Sequence, residues 1–174
     1  EAETLRAGAK ETISREPSAS TLEVCRRAKI IGESPQFRYC LYCAEQAARR
    51  YLGMISSDGK PGTLFISGET GTGKSALARL IHALSDRARK PFHELNCAAI
   101  PVTLAESELF GYVKGAFAQA FSDKPGFFEV ADCGILFLDE IGKTSVDFQG
   151  KLLKVLDTGE FTRLGSTTTR RTTC

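Results

Sequence analysis

Residues 65–82, "FISGETGTGKSALARLIH", join a short apolar run to a glycine-rich turn and then to an amphipathic segment. Within this stretch, residues 68–75 read G-E-T-G-T-G-K-S, which is the G-x-x-x-x-G-K-[ST] pattern of a phosphate-binding loop. The apolar run before it, residues 63–67, predicts a buried parallel strand, and the apolar positions after it repeat with a helical period. The stretch therefore predicts a loop that holds a nucleoside triphosphate between a strand and a helix.

Each residue type in this loop has a chemical reason to be there. Backbone N–H groups of a glycine-rich turn converge on phosphate oxygens, and the N-terminus of the next helix adds a favourable dipole. Lys74 is predicted to reach the β and γ phosphates, and the Ser75 hydroxyl to ligate Mg²⁺. A structural turn with a surface lysine is the alternative, but it does not account for all eight positions. The predicted loop residues are Gly68, Glu69, Thr70, Gly71, Thr72, Gly73, Lys74 and Ser75.

A second motif, "GILFLDE" at residues 134–140, is an apolar strand that ends in two adjacent carboxylates. Successive side chains on a strand point to opposite faces, so Asp139 and Glu140 are assigned different tasks. Asp139 suits the Mg²⁺ shell, and Glu140 suits the polarisation of an attacking water molecule. Alternatively, Asp139 and Glu140 are two solvated acids at a strand end without a catalytic role. A phosphate loop earlier in the chain favours the catalytic interpretation over this one.

The composition is that of an ordinary soluble domain, with 174 residues, 42% hydrophobic and 25% charged. The net charge of +2, without a long basic block, does not indicate nucleic-acid or membrane binding. No apolar stretch is long enough to span a membrane and no signal peptide is recognisable, so a cytoplasmic location is expected. The six cysteines are expected to be reduced. Cys40 and Cys43 form a C-x-x-C, which predicts either a zinc or redox site or two small residues on a helix.

The rest of the chain alternates between helical and strand patterns. Residues 1–28 are predicted to be a linker or N-terminal extension outside the core, and residues 29–174 a partial domain. Apolar residues recur at helical spacing in residues 34–52 and 146–161, and residues 90–97 and 133–140 predict two strands. Alternating strands and helices predict an α/β fold with a parallel sheet. The threonine-rich residues 165–174 show no usable period.

Several blocks of the chain resemble the AAA+ ATPase domain of sigma-54-dependent transcription activators, also called bacterial enhancer-binding proteins. They include "GETGTGKSALARLIH", "PFHELNCAAIP", "ESELFGYVKGAFAQA" and "QGKLLKVLDTGEFTRLGS", and the resemblance extends over most of residues 30–166. It implies a P-loop NTPase fold, a three-layer sandwich with a parallel sheet. It also implies ATP and Mg²⁺ as cofactors and a homo-oligomeric ring that remodels the sigma-54 RNA polymerase holoenzyme. DNA would be contacted only through a domain that this chain lacks, and no membrane is involved.

The resemblance also assigns residues to roles. Asn96 occupies the place of a switch residue that couples nucleotide state to Glu140, so Glu140, Asn96 and Lys74 form the predicted catalytic set. Three residues match the segment that lies against the adenine, with a purely structural role as the alternative: Ile30, Ile31 and Gly32. The polymerase-contacting loop matches Gly115, Ala116, Phe117, Ala118, Gln119 and Ala120.

The chain also departs from the family pattern. The partner loop usually reads G-A-F-T-G-A, so Ala118 and Gln119 remove a hydroxyl and a φ-permissive glycine. Lys143 stands where an acidic residue is common. The family's sensor strand, arginine finger, helical lid and DNA-binding domain have no counterpart here, so a fragment or truncated product, incomplete at the C-terminus, is expected.

Two functions remain open at this point. The first is the ATPase motor of a sigma-54-dependent regulator, with weak or no hydrolysis by the isolated chain because an arginine finger is worth about 10³ to 10⁵ in rate. The second is a nucleotide-binding regulatory or interaction module without sigma-54 coupling or efficient hydrolysis.

Overall fold

The computed structural model describes residues 15–50 and 62–174. The chain divides into two compact units. The described residues of the first unit are 15–50 and 64–88, and those of the second are 62–63 and 89–174.

Three helices build the first unit: α1 (Ala19–Arg27), α2 (Pro35–Arg50) and α3 (Lys74–Leu84). Serine side chains cap the first two helices, because Ser18 Oγ accepts the Thr21 N–H at 3.3 Å and Ser34 Oγ accepts the Phe37 N–H at 3.2 Å. The helical spacing predicted for α2 is confirmed by its buried face, which includes Leu41, Ala44 and Ala48. Leu52, the last residue of that pattern, lies outside the described residues.

The core of the first unit joins all three helices through Cys25, Leu41 and Leu80. The prediction that residues 1–28 stay outside the core is therefore wrong for α1, whose Thr21 and Cys25 are buried. Polar contacts fasten the start of this helix, since the Ser18 N–H donates to the buried Glu45 at 2.8 Å. The low average hydrophobicity of residues 1–28 did not indicate α1, because an amphipathic helix needs apolar residues on one face only to pack against a core.

The strand predicted for residues 63–67 is not observed. Residues 62–69 have no regular secondary structure, and the Phe65 side chain is 80% exposed. A strand requires a hydrogen-bonded neighbour, and the sheets formed by the described residues contain no strand that pairs with this segment. Residues 63–67 are thus apolar as predicted, but within the described part of the chain they lack the backbone hydrogen bonds to a neighbouring strand that would make them a strand.

The second unit contains the sheet and begins with β1 (Phe92–Asn96). The elements that follow are α4 (Val102–Phe110), β2 (Gly111–Tyr112), β3 (Lys124–Pro125), α5 (Phe127–Val130), β4 (Ile135–Asp139), a 3₁₀ helix (Ile141–Lys143), α6 (Val146–Thr158), β5 (Glu160–Thr162) and β6 (Thr169–Arg171).

Strands β1 and β4 pair in parallel, with Phe92 opposite Ile135 and Asn96 opposite Asp139. Both strands, their parallel direction and helix α6 confirm the α/β prediction. The remaining strands form two short antiparallel pairs, β2 with β3 and β5 with β6. The β5–β6 hairpin lies partly in the threonine-rich segment, where three-residue strands are too short to produce a recognisable period.

Aromatic rings dominate the core of the second unit. Phe110 packs against Phe128 with ring centroids 5.7 Å apart and against Phe148 at 6.2 Å, and Phe128 also packs against Phe161 at 5.6 Å. These contacts link α4, α5, α6 and β5 around the sheet. Among the described residues, no helix has the length and apolar character required to cross a membrane.

Candidate functional site

The glycine-rich turn of residues 68–73 leads directly into α3. Gly71 and Gly73 adopt left-handed backbone conformations, with φ of +84° and +87°, which favour glycine over every other residue. Apart from the two chain neighbours, no atom lies within 4 Å of the position where a Cβ would stand on either residue, so the turn is open beside both glycines. Gly73 occupies the N-cap of α3, and no side chain caps this helix. This arrangement suits an anion, because helix N-termini attract negative charge.

The Lys74 ammonium group bends back over the turn that precedes it. Its Nζ donates to the carbonyl oxygens of Gly68 at 3.0 Å and Glu69 at 2.8 Å. Thr72 Oγ1 also donates to the Glu69 carbonyl, at 2.8 Å, and holds the turn in shape. The positive charge of Lys74 therefore lies beside the turn that the sequence predicts to hold phosphates.

The three residues predicted to lie against the base belong to the same unit and have different surroundings. Ile31 is 88% exposed and accessible to a ligand. Ile30 packs against the core of the first unit, and a Cβ on Gly32 would lie 2.6 Å from the Phe37 ring. Ile30 thus contributes to the core and Gly32 allows the Phe37 ring to lie close to the backbone, whereas the exposed Ile31 side chain has no such packing role.

In the second unit, β1 and β4 bring three predicted site residues to one edge of the sheet. Asn96 and Asp139 are register partners at the carboxyl ends of parallel strands, and Glu140 follows immediately. Ligands of open α/β sheets bind at this edge. The Asp139 carboxylate accepts the Glu140 N–H at 2.9 Å, which ties the two acids together through the backbone.

Glu140 leaves the strand in a left-handed conformation, with φ +55° and ψ +35°. Non-glycine residues adopt this conformation at a cost of about 1–2 kcal/mol, and such strain concentrates at functional sites. The turn at Glu140, in addition to the alternation of side chains along β4, therefore separates this side chain from that of Asp139. Lys143 Nζ contacts Glu140 Oε2 at 3.0 Å, which the sequence did not predict.

The amide oxygen of Asn96 is engaged by the nearby backbone, because Oδ1 accepts the Ala98 N–H at 2.9 Å. Next to it, Cys97 is buried and its N–H donates to the Asp139 carbonyl at 3.0 Å. Burial, followed by the nearby charge of Asp139, raises the pKa of the Cys97 thiol, so this thiol stays protonated at neutral pH. The edge of the sheet is thus polar without containing a reactive cysteine.

The C-x-x-C pair lies within α2, with Cys40 half-buried, Cys43 exposed and both thiols free. Burial, and to a smaller extent the neighbouring Cys43, raises the pKa of Cys40. Over the described ranges 15–50 and 62–174, no group of three or more histidine, cysteine or acidic side chains is arranged to hold a metal ion. The pair thus has the surroundings of two small residues on a helix.

The residues predicted to contact a partner lie in what we term the surface loop, residues 113–123, which connects β2 to β3. The Val113 N–H donates to the Leu164 carbonyl at 3.1 Å, and the Lys114 N–H donates to the Asp123 carboxylate at 2.8 Å. Gly165 allows Ala116 to approach the β5–β6 hairpin, because a Cβ at position 165 would lie 2.8 Å from the Ala116 Cβ. The hairpin therefore supports the loop at its base and at its middle.

Arg163 fastens this hairpin to α5 and to the end of the surface loop. Its guanidinium donates to both carboxylate oxygens of Glu129, each at 2.7 Å, and to Asp123 at 3.3 Å. The Arg163 and Glu129 side chains are only 11% and 18% exposed. The hydrogen bonds from Arg163 hold the pKa of Glu129 below its ordinary value.

Replacing Arg163 with alanine is expected to destabilise the chain by about 2–3 kcal/mol, because it leaves a largely buried carboxylate with Arg170, at 3.1 Å, in place of the two-pronged contact from Arg163. A lowered pKa in the folded state means that the stabilising contribution is present above the unfolded pKa of about 4.3 and is lost as the pH falls through the folded pKa. The difference between Arg163→Ala and wild type should thus shrink as the pH falls below about 4. Urea unfolding at pH 7 and pH 3 measures both effects.

Arg171→Ala provides a matched control, because Arg171 pairs with Glu160 at 3.0 Å on the exposed face of the same hairpin. Exposed pairs contribute about 0–1 kcal/mol, so this variant should stay close to wild type. An equal decrease in the free energy of unfolding in the two variants would show that the Arg163–Glu129 contact contributes no more to stability than an exposed ion pair.

Neither the Arg163–Glu129 pair nor the Lys143–Glu140 pair was predicted from the sequence. The first joins residues 34 positions apart and leaves no local pattern. The second follows i, i+3 spacing, which is a signal of contact on a helix, but the 3₁₀ helix that creates the contact was not predicted.

A family model described as the Sigma-54 interaction domain matches residues 30–174. The chain is 46% identical over 157 residues to the Nif-specific regulatory protein of Bradyrhizobium diazoefficiens, covering 90% of this chain and 25% of that protein. It is also 46% identical over 147 residues to the anaerobic nitric oxide reductase transcription regulator NorR of Escherichia coli, covering 84% of this chain and 27% of that protein. The chain thus spans about a quarter of the length of these relatives.

Solved structures of NtrX from Brucella abortus share the fold. One of them, in complex with ATP, has a TM-score of 0.66 and 29% identity and covers 99% of this chain and 34% of that chain. Another has a TM-score of 0.66 and 31% identity, with 87% and 31% coverage. The predicted fold class, α/β with the parallel sheet of an AAA+ P-loop NTPase, is confirmed. With a family match over residues 30–174 and two regulators at 46% identity, the chain belongs to the sigma-54 interaction domain family.

Proposed function

We propose that this chain is the ATP-binding part of the ATPase domain of a sigma-54-dependent transcription activator. The parent protein would hydrolyse ATP to ADP and phosphate and use the energy to remodel the sigma-54 RNA polymerase holoenzyme. The observation that carries the proposal is the open turn of residues 68–73, with two left-handed glycines before a helix that no side chain caps. The ATP complex of NtrX, a protein of the same fold, supports it.

In the first unit, the residues of the turn would bind the triphosphate through backbone N–H groups. Lys74 would exchange its two carbonyl partners for the oxygens of the β and γ phosphates, which are stronger partners because they carry charge. Ile31 would lie against the adenine, since its side chain is exposed, while Ile30 and Gly32 would shape the backbone beside it.

Two predicted Mg²⁺ ligands have the chemistry that this ion selects. Ser75 offers a hydroxyl in the first turn of α3, and Asp139 offers a carboxylate at the end of β4. Mg²⁺ prefers oxygen ligands and is bound through one or two protein side chains together with substrate phosphates. When bound, the ion would neutralise charge that develops on the phosphates.

In the second unit, Glu140 would accept the proton of the attacking water, and the turn that redirects its side chain would keep it at the edge of the sheet. Asn96 would act as the switch beside it. The bond from the Ala98 N–H uses only the amide oxygen of Asn96, so the amide NH2 group could donate to the Glu140 carboxylate without breaking it.

The finer partner assignments follow from the same proposal. Sigma-54 would contact the residues 115–120 within the surface loop, a homo-oligomeric ring would form in the complete protein, and DNA would be bound through another domain. The parent protein would act in the cytoplasm, where bacterial RNA polymerase works.

An assay of promoter opening tests the proposal on the full-length protein. Purified activator, sigma-54 holoenzyme and a supercoiled promoter should give open complexes with ATP and none with a non-hydrolysable ATP analogue. ATP binding and hydrolysis without promoter opening would favour the alternative, a nucleotide-dependent regulatory module, which the Ala118 and Gln119 substitutions in the loop would explain.

Removing the lysine next to the catalytic glutamate should increase ATP turnover. Lys143 occupies one oxygen of Glu140 at 3.0 Å, and its own side chain is largely exposed. An exposed pair is worth at most about 1 kcal/mol, so Lys143→Ala should raise kcat by about two- to fivefold. Steady-state phosphate release on the full-length protein measures this change.

Lys124→Ala is the matched control for this change, because Lys124 of β3 forms an equivalent pair with Glu108 of α4, at 2.6 Å. It should leave kcat unchanged. A fall in kcat in Lys143→Ala would instead mean that the lysine holds Glu140 in its working position.

A further inference from the structure

The turn that follows Glu140 is held by a side chain of α6. Gln149 lies near the start of this helix and is half-buried. Its Nε2 donates to the Thr144 carbonyl at 3.0 Å and to the Ile141 carbonyl at 3.4 Å. Ile141 begins the 3₁₀ helix that follows Glu140, and Thr144 is the C-cap of that helix. One amide group therefore joins α6 to both ends of the 3₁₀ helix.

Local hydrogen bonds close the 3₁₀ helix. The Lys143 N–H donates to the Glu140 carbonyl at 3.0 Å, and the Thr144 N–H and hydroxyl both donate to the Ile141 carbonyl, at 3.1 and 2.7 Å. Hydrogen bonds in 3₁₀ helices have poorer geometry than those in α-helices. Glu140 is also left-handed, and such a conformation persists only where the surrounding structure enforces it. The turn thus benefits from support by a part of the fold that is itself fixed.

Helix α6 can provide this support because it is packed into the core. Ser145 Oγ caps its start by accepting the Phe148 N–H at 3.3 Å, and the Phe148, Leu152 and Val155 side chains are buried. Gln149 follows Phe148 directly, so the core fixes the place from which its side chain starts. Its amide group connects that fixed place to the turn after Glu140.

The chemistry of the contact requires an amide at position 149. Both partners are carbonyl oxygens, which only accept hydrogen bonds, and the NH2 group of glutamine supplies two donors. A carboxylate of the same length is ionised at neutral pH and has no proton to donate. An apolar side chain of similar size would fill the space without joining α6 to the 3₁₀ helix.

We propose that Gln149 is a positioning residue for ATP hydrolysis. It fixes the 3₁₀ helix and thereby sets the direction in which Glu140 presents its carboxylate to the attacking water. The inference rests on the proposed function, which makes Glu140 the general base. Because Gln149 acts through the backbone of the turn, it influences the rate of hydrolysis and leaves ATP binding by residues 68–75 intact.

Steady-state phosphate release and titration with a fluorescent ATP analogue, both on the full-length protein, test this role. Gln149→Leu and Gln149→Glu should each lower kcat by about tenfold, because the lost hydrogen bonds no longer hold the general base in place. ATP affinity should stay within about twofold of wild type, as expected when only the transition state is affected. Wild-type kcat in both variants would overturn the inference, while ATP hydrolysis by the wild type would still support the proposed function.

A double-mutant cycle distinguishes the positioning of Glu140 from a general loosening of the fold. In the Glu140→Gln background, no carboxylate remains to be positioned. Adding Gln149→Leu to that background should therefore lower the single-turnover rate by less than about twofold. A loss of about tenfold in that background, as large as in the wild-type background, would show that Gln149 does not act through Glu140.

Thr158→Val is the matched control at the other end of α6. Thr158 Oγ1 donates to the Lys154 carbonyl at 2.8 Å and accepts the Glu160 N–H at 3.1 Å, so valine removes two hydrogen bonds and keeps the shape of the side chain. This variant should keep the kcat of wild type, and urea unfolding measures how far each variant is destabilised. A loss of kcat as large as that in Gln149→Leu would mean that any weakening of α6 slows hydrolysis, and the inference would be wrong. If the wild-type protein neither binds nor hydrolyses ATP, the proposed function fails and the inference fails with it.

Discussion

Lys74→Ala in the full-length protein is expected to weaken ATP binding by at least about 100-fold, because charge-assisted hydrogen bonds contribute about 1.5–3 kcal/mol each and this ammonium group would make two or more of them to phosphate. The ammonium already lies over the turn, where it donates to Gly68 and Glu69, so exchanging these carbonyl partners for phosphate oxygens is a local movement of the side chain. Titration with a fluorescent ATP analogue measures the affinity, and circular dichroism checks that the helices persist.

Arg79→Ala is the matched control for this experiment, because Arg79 is an exposed cation on the same helix, just over one turn further on. It should bind ATP with wild-type affinity, which would exclude a general effect of charge on α3. Unchanged affinity in Lys74→Ala would remove the phosphate-loop assignment and, with it, the proposed function.

Glu140→Gln should keep ATP bound and lower turnover by about 10²- to 10⁴-fold, the range that a general base contributes. Glutamine has the same shape and makes the same left-handed turn, so stability should be nearly unchanged. Asp139→Ala should be more damaging, because it removes both a predicted Mg²⁺ ligand and the acceptor of the Glu140 N–H. Its ATP affinity should fall in the presence of Mg²⁺ and change little in its absence.

Phosphate release and nucleotide affinity, measured on the same full-length samples, separate these roles. Glu108→Gln is the control, since Glu108 is also a carboxylate paired with a lysine, Lys124 at 2.6 Å, and lies on α4. It should hydrolyse ATP at the wild-type rate. A wild-type rate in Glu140→Gln would refute the division of labour between the two acids.

Elements that follow a local rule could be predicted from the sequence. The buried face of α2 follows the helical spacing of Leu41, Ala44 and Ala48, and β1 and β4 lie within the two ranges predicted as strands. The phosphate loop is equally local, because Gly71 and Gly73 meet a conformational need within the turn itself.

Features that depend on distant partners could not be predicted in the same way. Phe65 belongs to an apolar run that matches a strand, but strand formation requires a neighbour that a local pattern does not specify. The burial of α1 depends on Leu41 and Leu80, which are far away in the chain. At the candidate site, the left-handed turn at Glu140 is set by the structure around it, since glutamate does not favour that conformation.

The close approach of Gly165 to Ala116 couples the position of the β5–β6 hairpin to that of the surface loop. With no room for a side chain between them, the β5–β6 hairpin and the surface loop meet backbone to methyl group, and the Val113–Leu164 hydrogen bond adds a second point of attachment. The hairpin begins where α6 ends, at Gly159. A displacement of α6 is thus expected to move the β5–β6 hairpin and, through these two contacts, the surface loop.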